Sequence, residues 1–88
     1  MSEVLKLREG AVEWREIEGE VVALDRKASE YVAVNRSGAA LWPRLVVGAS
    51  RDELVAALVA RYGIDEARAG ADVDAFVASL RGRELLDE

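Results

Sequence analysis

Tyr31-Val32-Ala33-Val34-Asn35-Arg36-Ser37-Gly38-Ala39-Ala40-Leu41-Trp42 changes its period halfway along. Tyr31 to Val34 are β-formers, and their number suits a short strand. Asn35 has the side chain of a helix N-cap, able to accept from backbone N–H groups two or three residues on. From Ala39 the apolar residues recur at helical spacing, with Leu41, Trp42 and Leu45 near one face. A strand therefore runs into a helix with almost no loop between. The chain before this corner reads as strand, and the chain after it reads as helix.

Working back from the corner, Val4, Leu5 and Leu7 suggest a short extended segment that Glu9-Gly10 breaks. Val12 to Glu18 alternates around charged positions. Gly19, between Glu18 and Glu20, marks a tight turn. Glu20 to Asp25 carries Val21, Val22, Ala23 and Leu24, a second β-rich run, and Asp25 to Ser29 is polar and turn-like. With Tyr31 to Val34 as the third run, the pattern is an antiparallel meander.

Working forward, the first helix is expected over about Arg36 to Val46. Pro43 lies inside it and removes a backbone bond, at a cost of about 3 kcal/mol in an ordinary helix interior, so a kink or an early end is expected there. Gly48 ends the helix. Ser50 with Glu53 forms a capping box for a second helix, whose stripe is Leu54, Val55, Leu58, Val59 and Tyr62 and whose C′ residue is Gly63. Asp65 caps a third helix with the stripe Ala69, Val73, Phe76, Val77 and Leu80. Leu85 and Leu86 form an apolar tail expected to dock on the body. The expected class is α+β: one domain over residues 1–88, winged-helix-like, with a three-stranded antiparallel sheet followed by three helices.

Composition bounds the chemistry. A chain of 88 residues buries only about 60 to 65% of its unfolded surface, so its core is thin. The sequence has no cysteine and no histidine, which removes thiol nucleophiles, thiolate metal sites and the commonest general base. A noncatalytic protein without a cofactor is the expectation. No apolar run approaches the ~18 residues of a membrane span, and the start does not resemble a signal peptide, so a cytoplasmic location is expected, with no membrane partner. The net charge is −5, and the third helix carries Asp65, Glu66, Asp72 and Asp74 against Arg68 before its final turn. Phosphates would be repelled by such a recognition helix, so nucleic acid is not an expected partner.

The remaining candidates divide between packing and binding. Asp52-Glu53 and Asp65-Glu66 sit at helix starts, where acids complement the dipole. Asp72 and Asp74 point in different directions and read as solvated surface. Gly38 belongs to no phosphate-binding string, and its expected role is to let the first helix approach the sheet. Tyr31-Val32-Ala33-Val34 has neither proline nor charge to block pairing at a sheet edge. Val32 and Val34 share one face of it, Tyr31 and Ala33 the other. The third helix would supply a second wall through Phe76, Ser79, Leu80 and Arg83. The residues leave three conditions of this edge open: free to accept another chain, covered by the N-terminal segment, or paired in a dimer.

Taken in order, Tyr31, Val34-Asn35-x-x-Gly38-Ala39-x-Leu41-Trp42, Gly48, Ser50-x-x-Glu53-Leu54-x-x-x-Leu58-x-x-x-Tyr62, Asp72-Val73-x-x-Phe76-Val77-x-x-Leu80 and the Leu85-Leu86 tail resemble the PqqD-like family, also called RiPP recognition elements. The resemblance covers residues from about 12 to 86. Two positions depart from the family pattern: Pro43, in a helix the family leaves intact, and Glu84, where the family often has glycine.

The resemblance implies a small winged-helix domain that binds the leader region of a ribosomally made, post-translationally modified peptide. It implies strand addition along the backbone of Tyr31, Val32, Ala33 and Val34. Phe76, Ser79, Leu80 and Arg83 would line the groove, with Asp72 near its other end. Asn35, Gly38 and Trp42 would be structural. The standalone form is most similar to proteins of lasso-peptide pathways, which present the leader to a separate cysteine protease, the leader peptidase. The alternatives are a PqqD-type chaperone for a radical S-adenosylmethionine enzyme and, from another class, a winged-helix DNA-binding regulator.

Overall fold

Two consecutive residues with left-handed backbone, Glu18 (φ 52°) and Gly19 (φ 83°), make the turn on which the sheet is built. They form a two-residue loop whose twist matches that of the flanking strands. In the computed structural model, which describes residues 3–87, this turn joins β2 (Val12–Ile17) to β3 (Glu20–Asp25), preceded by β1 (Val4–Leu5). The chain continues through β4 (Glu30–Val32), α1 (Arg36–Val47), β5 (Ala49–Ser50), α2 (Arg51–Tyr62) and α3 (Glu66–Gly82). The class is α+β, with a three-stranded antiparallel sheet in the order β2-β3-β4 followed by three helices.

Alternation sorts the sheet into two faces. Val21, Ala23 and Val32 face the helices and are buried, whereas Val22 and Tyr31 lie on the outer face and are exposed. Trp14 shares the inner face with Ala23 and meets Trp42 edge-on, at 6.0 Å between ring centroids. Asp25 ends β3 almost fully buried. Its Oδ1 accepts from the backbone N–H groups of Lys27 and Ala28 at 3.1 and 3.2 Å, which satisfies the buried carboxylate and shapes the turn into β4.

Each helix starts where its capping chemistry places it. Asn35 Oδ1 accepts from Gly38 N–H at 2.8 Å. Ser50 and Glu53 form the reciprocal capping box, and Asp65 Oδ1 accepts from Arg68 N–H at 2.8 Å. Gly63 closes α2 in the left-handed region.

Three expectations need correction. The strand at the corner is Glu30–Val32, so Ala33 and Val34 lie outside the ladder in the link to α1. Helix α1 runs to Val47, close to the expected end at Val46, so Pro43 brings no early end. Trp42 and Leu45 flank the proline and, with Leu41, have no exposed surface. Three fully buried side chains at roughly 1.5–3 kcal/mol each outweigh a proline cost of about 3 kcal/mol. Gly38 does not serve an approach to the sheet. A Cβ there would lie 2.6 Å from Cε1 of Phe76 on α3, so the absent side chain makes room for that ring.

The N-terminal segment is tied down away from β4. β1 pairs with β5 in a second, two-stranded sheet, and Leu7 N–H donates to the Leu45 carbonyl near the end of α1 at 2.9 Å. The Leu85-Leu86 tail docks as expected: Leu7 bridges Leu86, and Arg8 N–H donates to Leu85. Arg51 at the start of α2 reaches Asp74 on α3 with two bonds, 2.7 Å from Nε and 3.0 Å from Nη2. Asp74 is thus one half of an inter-helix ion pair rather than plain solvated surface. Among the described residues no helix is long and apolar enough to cross a membrane.

Candidate functional site

The hydrogen-bond parity of the sheet decides what β4 offers. Arg26 N–H donates to the Ala11 carbonyl, which continues the ladder Glu13↔Leu24, Arg15↔Val22, Ile17↔Glu20 as the hydrogen-bonded pairs of β2 and β3. The even-numbered residues of β3 therefore bond to β2, and Val21, Ala23 and Asp25 turn their backbone groups to β4. There they meet Val32 and Glu30. Tyr31, between them, directs its N–H and C=O away from β3, and Ala33 follows with the same parity. Among the described residues this edge has no strand partner. The N-terminal segment does not cover it, since that segment pairs with β5.

Side chains along this edge alternate accordingly. Val32 is 5% exposed and belongs to the core, Tyr31 is 73% exposed, Ala33 is exposed and Val34 is half-buried.

The C-terminal end of α3 lies near the start of β4. Phe76 lies against Gly38 in the first turn of α1, while Arg83, the residue capping α3, lies beside the start of β4. Arg83 Nη1 is 3.7 Å from Asp25 Oδ2 and 3.9 Å from Glu30 Oε1. Asp72, Phe76, Ser79, Leu80 and Arg83 succeed one another at helical spacing on α3; Arg83 reaches β4 through Glu30, and Phe76 meets Gly38 of α1.

Their burial differs. Leu80 has no exposed surface and belongs to the core, and Phe76 is nearly buried. Ser79 is exposed, and Asp72 and Arg83 are half-buried. Phe76 is held from behind by Trp42, 6.3 Å away between centroids. The Trp42 indole N–H is buried without an acceptor.

The residues that follow α3 carry a further feature. Glu84 has left-handed backbone, φ 59°, at the position where the resemblance leads one to expect glycine. Lys27 Nζ donates to Glu84 Oε2 at 3.0 Å, and this bond, with the attraction of the ammonium, holds the Glu84 carboxyl below its usual range. Two surfaces escaped the sequence reading. One is a cleft between the hairpin tip, with Glu16, Glu18 and Glu20, and the helices, with Arg36, Arg44 and Arg61. The other is the outer face of the sheet, where Val22, Leu24 and Tyr31 form a shallow concavity. Charges that alternate along a hairpin carry no period that singles out either.

The family model for coenzyme PQQ synthesis protein D (PqqD) matches residues 20–86. The chain belongs to the PqqD family. The PqqD match spans β3 to the docked tail, so β1 and β2 precede it. No curated protein matches the chain. Two solved structures do, and both are complexes. TbiB1 in complex with the TbiA(beta) leader peptide is 30% identical, with a TM-score of 0.82, covering 93% of this chain and 94% of that one. A lasso peptide synthetase B1 complexed with the leader peptide is 25% identical, with a TM-score of 0.78, covering 96% and 98%. The matched segment contains β4 and α3. Its fold agrees with those two proteins over nearly the whole length of each.

Proposed function

We propose that this protein is a noncatalytic adaptor that binds the leader region of a ribosomally made precursor peptide and presents it to a separate processing enzyme. The leader adds as a strand on β4, taking the outward backbone groups of Tyr31 and Ala33. Its side chains pack at the edge of Phe76, with Leu80 in the core beneath, between rims formed by Asp72, Ser79 and Arg83. The observation that carries this reading is the unpaired β4 edge beside α3 in a chain whose similar solved structures hold leader peptides. Main-chain bonds supply affinity in this mode, and the groove side chains supply selection. The likeness to lasso-pathway B1 proteins favours a leader peptidase, a cysteine protease, as the enzyme served, in the cytoplasm. The description of the matching family supports a second reading, a chaperone for a radical S-adenosylmethionine enzyme.

The test is fluorescence polarisation with a labelled leader peptide from a precursor gene next to this one, and a labelled DNA duplex as control. Ala33→Pro removes the outward N–H at an exposed position outside the ladder, so the fold should survive. A charge at Val32, by contrast, would enter the core. Saturable peptide binding that resists moderate salt, weakened on the order of tenfold or more by Ala33→Pro, is the expected result. Equal affinity in the folded variant would remove strand addition from the account. Duplex binding without peptide binding would replace the adaptor with a DNA-binding regulator.

A further inference from the structure

The sheet has a second edge, on β2, that the leader reading does not use. β2 is twice as long as β4, six residues against three, and among the described residues it pairs only with β3. The parity that turns Glu13, Arg15 and Ile17 toward β3 leaves the N–H and C=O groups of Val12, Trp14 and Glu16 pointing outward. Free edges of this kind are usually blunted by charge or proline. β2 has no proline. Its charges, Glu13, Arg15 and Glu16, are of both signs and exposed. Glu13 has a distant partner, Arg26, at 3.9 Å. Arg15 makes no ion pair among the described residues.

We infer that β2 is a homodimer interface, pairing antiparallel with β2 of a second copy about a twofold axis at Trp14. A twofold axis through the sheet places residues of equal parity opposite each other, so the choice of central residue fixes every pair. Centring on Glu13, Arg15 or Glu16 sets that charge against its own copy, which is destabilising. Centring on Trp14 sets Glu13 against Arg15 of the second copy, and Arg15 against its Glu13, both on the outer face. These are the non-hydrogen-bonded sites, where side chains approach most closely. Trp14 and the Val12/Glu16 pairs then exchange the outward backbone bonds. The Trp14 rings, 41% exposed in one copy, face each other on the inner side. A blunted edge would repel its own copy in every register; this one has a single register with complementary charge. The resulting sheet is continuous through both copies and keeps a β4 edge at each end, so the inference stands independently of what β4 binds.

The test is sedimentation velocity across a concentration series up to about 1 mM. Glu13→Arg places an arginine opposite Arg15 of the second copy, and Arg15→Glu places a glutamate opposite its Glu13. Both positions are exposed, so both variants should fold, as circular dichroism would verify. Each should weaken self-association on the order of tenfold or more, since two attractive pairs become repulsive. An equimolar mixture of the two restores opposite charges at both sites and should associate as well as the parent. Glu18→Arg, at the hairpin tip outside the pairing, changes net charge as Glu13→Arg does and should leave association unaltered. A parent chain that stays monomeric throughout, single variants that associate like the parent, or a mixture that fails to recover association would each overturn the inference. Loss of the dimer in Ala33→Pro would place the interface on β4 instead.

Discussion

Replacing Gly38 by alanine tests the junction of α1 with α3 in a way that local propensity cannot mimic. The new Cβ would lie 2.6, 2.9 and 3.0 Å from Cε1, Cζ and Cδ1 of Phe76. Comfortable carbon contacts begin near 3.5 Å, so the ring edge must retreat by close to ~1 Å. It has nowhere to go: Trp42 stands behind it with no exposed surface, and Val73, Val77 and Leu80 hold α3 in the core. Overpacking of this kind costs about 1–3 kcal/mol. Alanine recovers up to about 1 kcal/mol over glycine within a helix. The balance is a net loss of about 1 kcal/mol, rising to about 2 kcal/mol if the ring stays fixed, which lowers Tm by roughly 5–15 °C in a domain of this size. Urea unfolding should show a lower midpoint at unchanged slope. Gly82→Ala is the control, because nothing lies within 4 Å of a Cβ there; it should be neutral or stabilising. In a Phe76→Leu background the alanine should cost little, a coupling that a double-mutant cycle reads directly. A Gly38→Ala protein as stable as the parent, or additive with Phe76→Leu, would refute the steric account.

Pro43→Ala returns an N–H to the Ala39 carbonyl in a helix that already runs through this position. Against the greater freedom of the unfolded chain, it should stabilise by about 1–2 kcal/mol in thermal or urea unfolding; a fall would mean that the proline relieves something else. Glu84→Gly and Glu84→Val both lose the Lys27 bond, so their difference isolates the backbone. Calorimetry should place the valine variant below the glycine variant in Tm, because a β-branched residue resists φ 59°, and the reverse order would contradict the left-handed assignment. The carboxyls of Asp74 and Glu53 are held below their usual range, the first by the Arg51 hydrogen bonds and the second by the Ser50 backbone N–H. A lowered folded-state pKa stabilises above the ordinary carboxylate pKa of about 4 and is lost as pH falls through the folded value. The urea midpoint should therefore be flat above about pH 5 and fall below about pH 4, with a shallower acid limb in Asp74→Asn. Both groups are exposed, so salt should shrink the effect.

The parts of the fold that were readable are those whose chemistry acts within a few residues. Asn35 caps its own helix, Ser50 and Glu53 cap each other's backbone, Gly63 ends α2, and Glu18-Gly19 turns the hairpin. The failures involve distant partners. A small residue at position 38 signals a close approach but not the ring it meets, which α3 supplies. Pro43 is a local breaker overruled by Leu41, Trp42 and Leu45, whose burial depends on the sheet and the other helices. The pairing of β1 with β5 joins two-residue strands, too short for any period to register.

The groove shows the same division, and it bears on what the family likeness means. The stretch by which the chain resembles its family is dominated by Asn35, Gly38 and Trp42. In the structure these residues cap α1, admit the Phe76 ring and fill the core. None of them presents a side chain to the β4 edge. What they do is hold α1 against α3, a packing on which the proposed groove depends. In the proposed adaptor the residues left to choose among peptides are Tyr31, Asp72, Ser79 and Arg83, and no local rule constrains those positions, since Tyr31 and Ser79 are exposed and Asp72 and Arg83 half-buried. Substitutions in the recognisable stretch should therefore act through stability, as worked out for Gly38. Substitutions on the rim should change which peptide binds while leaving Tm nearly fixed. Arg83 is the one position where the two effects meet, because its guanidinium lies near both Asp25 and Glu30. Buried Asp25 also has backbone donors from Lys27 and Ala28, so losing Arg83 leaves that carboxylate hydrogen-bonded, and in the proposed complex Arg83 is the groove's cation for an acidic group on the leader.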